Sequence, residues 1–426
     1  MITVHPICSS KMSDIFARKV MFLNDIKQVI LPFLKCRSHQ FFIFKINLDP
    51  MKFLLAPDKY KGSLTGPDFC NAVAEGIAMA IPTATFLKKP LADGGDGTLA
   101  VMEQYLQAKS RSVTVHDPLL QPIKAKYLYD AKKRLAFIEM AEASGHRLLP
   151  TDALNCMETT SLGTGELILD ALQKGAREIV LGVGGSATTD GGLGIAAALG
   201  YEFLDKEGKS LSPIGRNMIK VEKVIMPQDR QKWDGVRIKL ACDVTNPFYG
   251  KDGAAHVYGP QKGASPEEVL QLDEGLKNLA QCFGQTFHID VQNIKGAGAA
   301  GGIGGGMVAM FNAEIVPGIA LIMELADFDK ALEKVDWVVT GEGLLDEQTF
   351  SGKTMAGVVS AAQKRTIPVA ALCGAVSLTP QQQKEFGLAY ATSILQHVGT
   401  LQQAQNHAYA NLVSAAYNFA KLVGKK

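Results

Sequence analysis

The chain reads as an α/β protein of two domains. An outer doubly wound domain, flavodoxin-like or Rossmann-like, is formed by both chain ends, and a mixed α/β domain is inserted into it. Three observations carry that reading. With 426 residues, 47% of them hydrophobic and 20% charged, the chain can bury more than one core. Its 42 glycines against 7% aromatics suit many tight strand-to-helix turns better than a β-sandwich or a coiled coil. The third is a change of rhythm, from strand, loop and helix units near the ends to hairpin-linked short strands between them.

Taken in order, residues 1–50 hold seven Lys/Arg against three Asp/Glu and show no clean helical or alternating period. They read as an extension outside the folded unit, a mis-assigned upstream start. Asp14, Asp25 and Asp49 are out of place in a targeting peptide. From Met51 the pattern becomes regular. Phe53 to Ala56 reads as a strand, and Pro67 to Ala80 as a helix entered through Thr65-Gly66-Pro67, with Phe69, Val73, Ile77 and Ala80 at helical spacing. A second unit runs from Phe86-Leu87 through the glycine-rich stretch 92–98 into a helix around Leu99 to Leu106.

The rhythm then changes. Val113 to Val115, Ala125 to Tyr129 and Leu135 to Met140 are short runs joined by turn residues at Asp117-Pro118 and Asp130-Ala131-Lys132, as hairpins require. Crossovers resume with a helix over Gly165 to Lys174, a strand over Ile179 to Val183 and a helix after Asp190. Near the C-terminus, Asp336 to Thr340, a helix near Gly352 to Gln363, and Val369 to Cys373 form another βαβ unit. The expected outer domain is therefore 51–112 with 296–426, and the inserted domain 113–295.

A formal charge of +2 with no Lys/Arg block argues against nucleic acid or an anionic membrane surface as partner. Seven scattered cysteines without a CxxC pair argue against a metal cluster or disulfide framework, and no run of about 18 apolar residues occurs. The cytoplasm is the expected compartment.

Four loops could carry chemistry. Ala56-Pro57-Asp58-Lys59-Tyr60-Lys61-Gly62-Ser63 follows a strand and precedes a helix, where open α/β sheets bind ligands, and Lys59 and Lys61 could hold an anion. Ala92-Asp93-Gly94-Gly95-Asp96-Gly97-Thr98 sets two carboxylates among glycines, which suits Mg²⁺ or a hydroxyl-bearing substrate. Gly182-Val183-Gly184-Gly185-Ser186-Ala187-Thr188-Thr189-Asp190-Gly191-Gly192 follows an apolar strand and opens a helix. Its backbone N–H groups and hydroxyls make an anion site, with Asp190 as base, metal ligand or plain N-cap. The fourth combines Gly296 to Gly301 with Thr340-Gly341-Glu342-Gly343 and Ser351-Gly352-Lys353-Thr354.

Two decoys sit in that last group. Gly296 to Gly301 matches G-x-G-x-x-G, yet no apolar strand precedes it closely. Gly352-Lys353-Thr354 resembles the end of a Walker A loop, yet Glu347 stands where the first glycine is needed. H-E-x-x-H, G-x-S-x-G and H-R-D signatures are all missing from the sequence.

Together these strings resemble the class I glycerate kinases of bacteria. The resemblance starts at Met51 and runs through 56–63, 92–98, Gly-Thr-Gly-Glu-Leu-Ile at 163–168 and 184–192. It continues through Ala-Cys-Asp-Val-Thr-Asn-Pro at 241–247, Gly-Pro-Gln-Lys-Gly-Ala at 259–264, 296–302 and 340–343. Asp96 stands where the family usually has Glu, and Thr189 where it often has Asn; neither change removes a type of functional group.

The resemblance implies transfer of the γ-phosphoryl of ATP to a hydroxyl of D-glycerate, with the 2-hydroxyl favoured, in a site between two α/β domains. ATP and Mg²⁺ are the implied cofactors, in a monomer or homodimer. Assigning roles from the loop inventory gives Asp190 and Lys61 as catalytic, and Lys59, Asp93, Asp96 and Lys262 as substrate-binding. Gly184, Gly185, Ser186, Gly298, Gly301, Glu342 and Lys353 would bind nucleotide, and Asp243 and Asp346 the metal. A nicotinamide-dependent oxidoreductase and a non-catalytic sugar-acid-binding regulator remain as alternatives.

Overall fold

The computed structural model describes residues 50–58, 60, 62–92, 94, 95, 97–350 and 354–424, together with the backbone of three short strands in the first fifty residues. Those three, Thr3–Ile7, Val29–Ile30 and Phe41–Ile46, pair antiparallel, where the sequence had suggested no regular element.

Eleven strands, numbered here in chain order, make the two large sheets. They are β1 (Lys52–Leu55), β2 (Thr85–Lys88), β3 (Lys109–His116), β4 (Pro122–Asp130), β5 (Leu135–Glu139), β6 (Glu178–Gly182), β7 (Arg237–Ala241), β8 (Glu314–Val316), β9 (Trp337–Thr340), β10 (Val369–Cys373) and β11 (Tyr390–Ser393). One sheet has five parallel strands in the order β11-β10-β9-β1-β2. Counted along its own strands this is the 2-1-3-4-5 order of the flavodoxin-like doubly wound fold, with the order reversing between β1 and β9. The two chain ends thus build one sheet, as expected.

A parallel sheet covered on both faces needs strands that are apolar throughout. Phe53, Leu54, Leu55, Val338, Val339 and the whole of Val369–Cys373 are fully buried. Phe53 and Leu55 face a cluster formed with helices Gly66–Ala80 and Ala408–Val423; Leu54 and Val338 face the opposite cluster, which includes helix Gly318–Leu325. The first helix starts where Thr65 and Asp68 form a reciprocal capping box with Pro67 just inside.

The second sheet runs β8-β7-β6-β5-β4-β3. Its first four strands are parallel, and β3, β4 and β5 form an antiparallel meander. The hairpin turns are closed by the aspartates the sequence offered. Asp117 Oδ1 accepts from the amides of Leu119 and Gln121, and Asp130 Oδ1 from those of Lys132 and Lys133.

Sheet membership differs from the expected boundaries at both edges. β3 begins at Lys109, and β8 pairs with β7, so residues 109–112 and 314–316 belong to the six-stranded sheet. A three-residue strand is too short to show a period. Among the described residues no helix is long and apolar enough to cross a membrane.

Candidate active site

A cleft of about 530 Å³ opens at the C-terminal ends of β6 and β7, where parallel α/β sheets place ligands. One wall is Val183-Gly184-Gly185-Ser186, the run after β6, and another is Cys242-Asp243-Val244 after β7. The third comes from the other sheet, because Gly94 and Gly95 reach across. This crossing is made possible by two missing side chains: a Cβ on Gly182 would meet the Gly94 carbonyl at 2.8 Å, and one on Gly94 would meet Ala241 Cβ at 2.9 Å. Glu139, 1% exposed at the end of β5, fixes the crossing segment, accepting from Gly97 N at 2.7 Å and Leu99 N at 3.0 Å.

The amides of Gly184, Gly185 and Ser186 donate to no backbone acceptor among the described residues, which leaves three consecutive N–H groups beside the cleft. Lys262 stands next to them, 3% exposed, with Nζ donating to Ser186 Oγ at 2.8 Å and to the Thr188 carbonyl at 2.6 Å. Burial lowers its pKa to about 8, against the opposing pull of Cys156 and Asp190. An anion arriving here would meet a lysine already stripped of water and held in place by neutral oxygens.

Asp190 lies deeper. It has no exposed surface; Oδ2 accepts from Ser161 N and Ser161 Oγ, both at 2.7 Å, and from Gly194 N at 3.2 Å, while Oδ1 accepts from Gly192 N at 3.1 Å. Burial raises its pKa and the bonds from Ser161, Gly192 and Gly194 lower it. Asp190 thus ties down the start of the helix from just before its N-cap position, Gly192. The helix N–H groups that the sequence offered to an anion are taken by Asp190 itself, so the open donors are those of 184–186.

His146 and Tyr258 complete the cleft, and neither was singled out from the sequence. The His146 amide donates to the Gly185 carbonyl at 3.0 Å, and its ring Nδ1 lies 2.9 Å from the same oxygen. The Tyr258 hydroxyl donates to Asn246 Oδ1 at 2.6 Å. Asp243 Oδ1 accepts from Gly318 N at 2.7 Å and so also anchors helix Gly318–Leu325.

Residues 53–424 match the profile of the Glycerate kinase family. The chain belongs to the glycerate kinase family. It is 40% identical over 370 residues to a glycerate kinase of Bacillus cereus, covering 87% of this chain and 97% of the relative. It is 38% identical over 371 residues to the glycerate 2-kinase of Escherichia coli K12, covering 87% and 97% respectively. A solved structure described as a glycerate kinase 2 of Salmonella typhimurium LT2 superposes with a TM-score of 0.78 at 37% identity, covering 88% of this chain and 98% of that one. Glycerate kinases are phosphotransferases, so ATP and a small organic acid are the reactants, and the expected fold and enzyme class both stand.

Against that chemistry, the expected site residues divide. Gly184, Gly185, Ser186, Lys262 and Asp243 come together on one cleft. Gly298 and Gly301 do not line it. The Gly301 carbonyl accepts from Gly191 N at 3.0 Å, and with φ +71 a Cβ there would lie 2.2 Å from the Thr188 carbonyl. Likewise a Cβ on Gly298 would lie 2.2 Å from the Pro247 carbonyl. These glycines are needed for close packing of loops, and the segment before them, 291–298, is turns rather than a strand. The dinucleotide match is therefore coincidental, and the nicotinamide reading loses its support.

Glu342 and Asp346 stand beyond the end of β9, off the cleft wall; Glu342 Oε1 accepts from Thr349 Oγ1 at 2.8 Å, and Asp346 N donates to the same hydroxyl at 3.2 Å. The expected pair of metal ligands, Asp243 and Asp346, thus splits between two sheets. Lys59, Lys61, Asp93, Asp96 and Lys353 lie outside the described residues.

Proposed function

We propose that this cleft carries the phosphorylation of D-glycerate by ATP at the 2-hydroxyl, giving 2-phosphoglycerate. The observation that carries the reading is the run of three unspent amides beside the buried ammonium of Lys262. Phosphoryl transfer spreads negative charge over the equatorial oxygens of the phosphoryl in flight, and asks the protein for donors already aimed at that charge. Gly184, Gly185 and Ser186 supply neutral donors, and Lys262 supplies the charge. The 2-hydroxyl preference rests on the Escherichia coli relative, a glycerate 2-kinase.

Mg²⁺ fits this donor set as a companion of the nucleotide. Such an ion usually takes one or two carboxylates and leaves its other positions to phosphates and water. Asp243 is a carboxylate on the wall, and among the described residues no group of three His, Cys, Asp or Glu is arranged to hold a resident metal. When bound, the ion would neutralise charge on the phosphates. Asp93 and Asp96 flank the cleft-lining Gly94 and Gly95 in sequence and are the next ligands to test. The described cysteines Cys70, Cys156, Cys242, Cys282 and Cys373 are free thiols, which supports a reducing compartment such as the cytoplasm.

Phosphorus NMR of a reaction with ATP, Mg²⁺ and D-glycerate tests the reading. A single new monoester resonance matching 2-phosphoglycerate is expected. A resonance matching 3-phosphoglycerate would overturn the regiochemistry.

A further inference from the structure

Resting on the reading of this cleft as the active site, we infer that His146 is a catalytic residue whose Nε2 takes the proton of the attacking glycerate hydroxyl. The ring is placed by two bonds to one atom: the His146 amide and Nδ1 both reach the Gly185 carbonyl, at 3.0 and 2.9 Å. A carbonyl oxygen only accepts, so Nδ1 carries a proton. In the neutral imidazole the lone pair then belongs to Nε2. That nitrogen has no hydrogen-bond partner among the described residues, and the side chain is exposed on the cleft wall.

The position relative to the phosphate donors strengthens the case. The Gly185 carbonyl orients the base while its own amide is one of the three open donors, so base and anion holder are fixed by the same residue. Two other polar side chains of the cleft are committed elsewhere, and a third in part. Lys262 donates to Ser186 and Thr188, Tyr258 donates to Asn246, and one oxygen of Asp243 accepts from Gly318. An oriented base with a fixed tautomer and an open nitrogen is the arrangement that activates a hydroxyl nucleophile.

A new bond forms between the glycerate oxygen and the γ-phosphorus, and the bond from that phosphorus to the bridging oxygen breaks, its electron pair leaving on ADP. The hydroxyl proton passes to Nε2, and the resulting imidazolium returns it to water as product leaves. Because the transition state of phosphoryl transfer is loose, the contribution belongs at the lower end of the usual range for such a base, about 10²-fold in kcat.

The test compares His146→Ala and His146→Asn with the wild-type full chain, assayed with ATP, Mg²⁺ and D-glycerate, with and without added imidazole. Asparagine keeps a donor for the Gly185 carbonyl but has no basic nitrogen, so it separates holding the loop from taking the proton. Both variants should lose about 10²-fold in kcat with KM for ATP within twofold and an unchanged melting temperature. Imidazole should restore part of the rate to His146→Ala. Wild-type turnover in either variant, or a loss that imidazole leaves unchanged, overturns the assignment. Lys262→Met in the same assay keeps the two readings apart: if it too were fully active, the cleft itself would be wrongly placed, whereas a disabled Lys262→Met beside an active His146→Ala removes only the histidine.

Discussion

Two sets of loops stand at the C-terminal ends of parallel strands in this molecule, and they have spent their polar groups differently. After β1 and β9, at the point where the strand order reverses, several of the described groups bond to each other. Thr340 Oγ1 donates to the Ala56 carbonyl at 2.8 Å, Asp58 N to the Gly341 carbonyl at 3.0 Å, and the Tyr60 hydroxyl to the Leu372 carbonyl. After β6 the amides of 184–186 are left open, with Lys262 and His146 beside them. Both places satisfy the rule that ligands bind outside strand ends. The difference teaches that the position nominates a site, while the donors left unspent decide what it can hold.

The largest effect expected from breaking this contrast is at Lys262. Lys262→Met should lower kcat/KM by about 10²–10³-fold, the scale of a removed transition-state donor, without lowering the melting temperature, because burying an ammonium is itself costly. The wild-type pH profile carries the same information. Lys262 is depressed to about 8 from its ordinary 10.5, so the free enzyme loses this charge, and kcat/KM should fall, as pH rises through about 8. Over that window the unfolded chain binds more protons at this residue than the folded one, so its contribution to stability rises with pH. Calorimetry of Lys262→Met against wild type between pH 7 and pH 10 checks the sign.

Asp190 should behave as a structural carboxylate. Replacing it by Asn turns an acceptor toward Gly192 N–H into a donor, and should cost roughly 3 kcal/mol of stability, read as a lower melting temperature. Activity per folded molecule should change far less than in Lys262→Met. A variant that melts like wild type yet turns over 10²-fold more slowly would return Asp190 to the chemistry. The smallest effect is expected at the other strand ends. Thr340→Val removes one internal bond worth about 1 kcal/mol and should leave kcat within twofold, whereas a large loss of kcat would show that the reversal point takes part in turnover.

Much of this was legible in the sequence. The βαβ units, the aspartate-closed hairpins and the gathering of both chain ends into one doubly wound sheet follow from apolar runs and turn residues that act locally. The loop at 184–186 was legible too, since an apolar strand feeding small residues leaves few other readings. What the sequence left open depends on who reaches whom. Asp190 is next to the loop in the chain, but Ser161 and Gly194 claim its oxygens. Gly298 and Gly301 carry a nucleotide-like spacing and are glycines because neighbouring backbone comes too close for a Cβ. His146 gave no signal at all, since its value lies in one carbonyl 39 positions away. Glu139 did give one, a carboxylate inside the otherwise apolar run Leu135–Met140.

The interleaving of the two sheets also governs how this chain comes together during synthesis. The six-stranded sheet is drawn from one continuous stretch, 109–316, and can close as that stretch leaves the ribosome. The five-stranded sheet cannot. Its interior strand β1 is made early, but its neighbour β9 lies far along the chain, as the Thr340 to Ala56 bond across 284 positions records. Until that neighbour arrives, Phe53, Leu54 and Leu55 have one side of their strand without a partner, an apolar edge of the kind that aggregates. The inserted sheet can finish first, while the outer sheet waits for β9, β10 and β11.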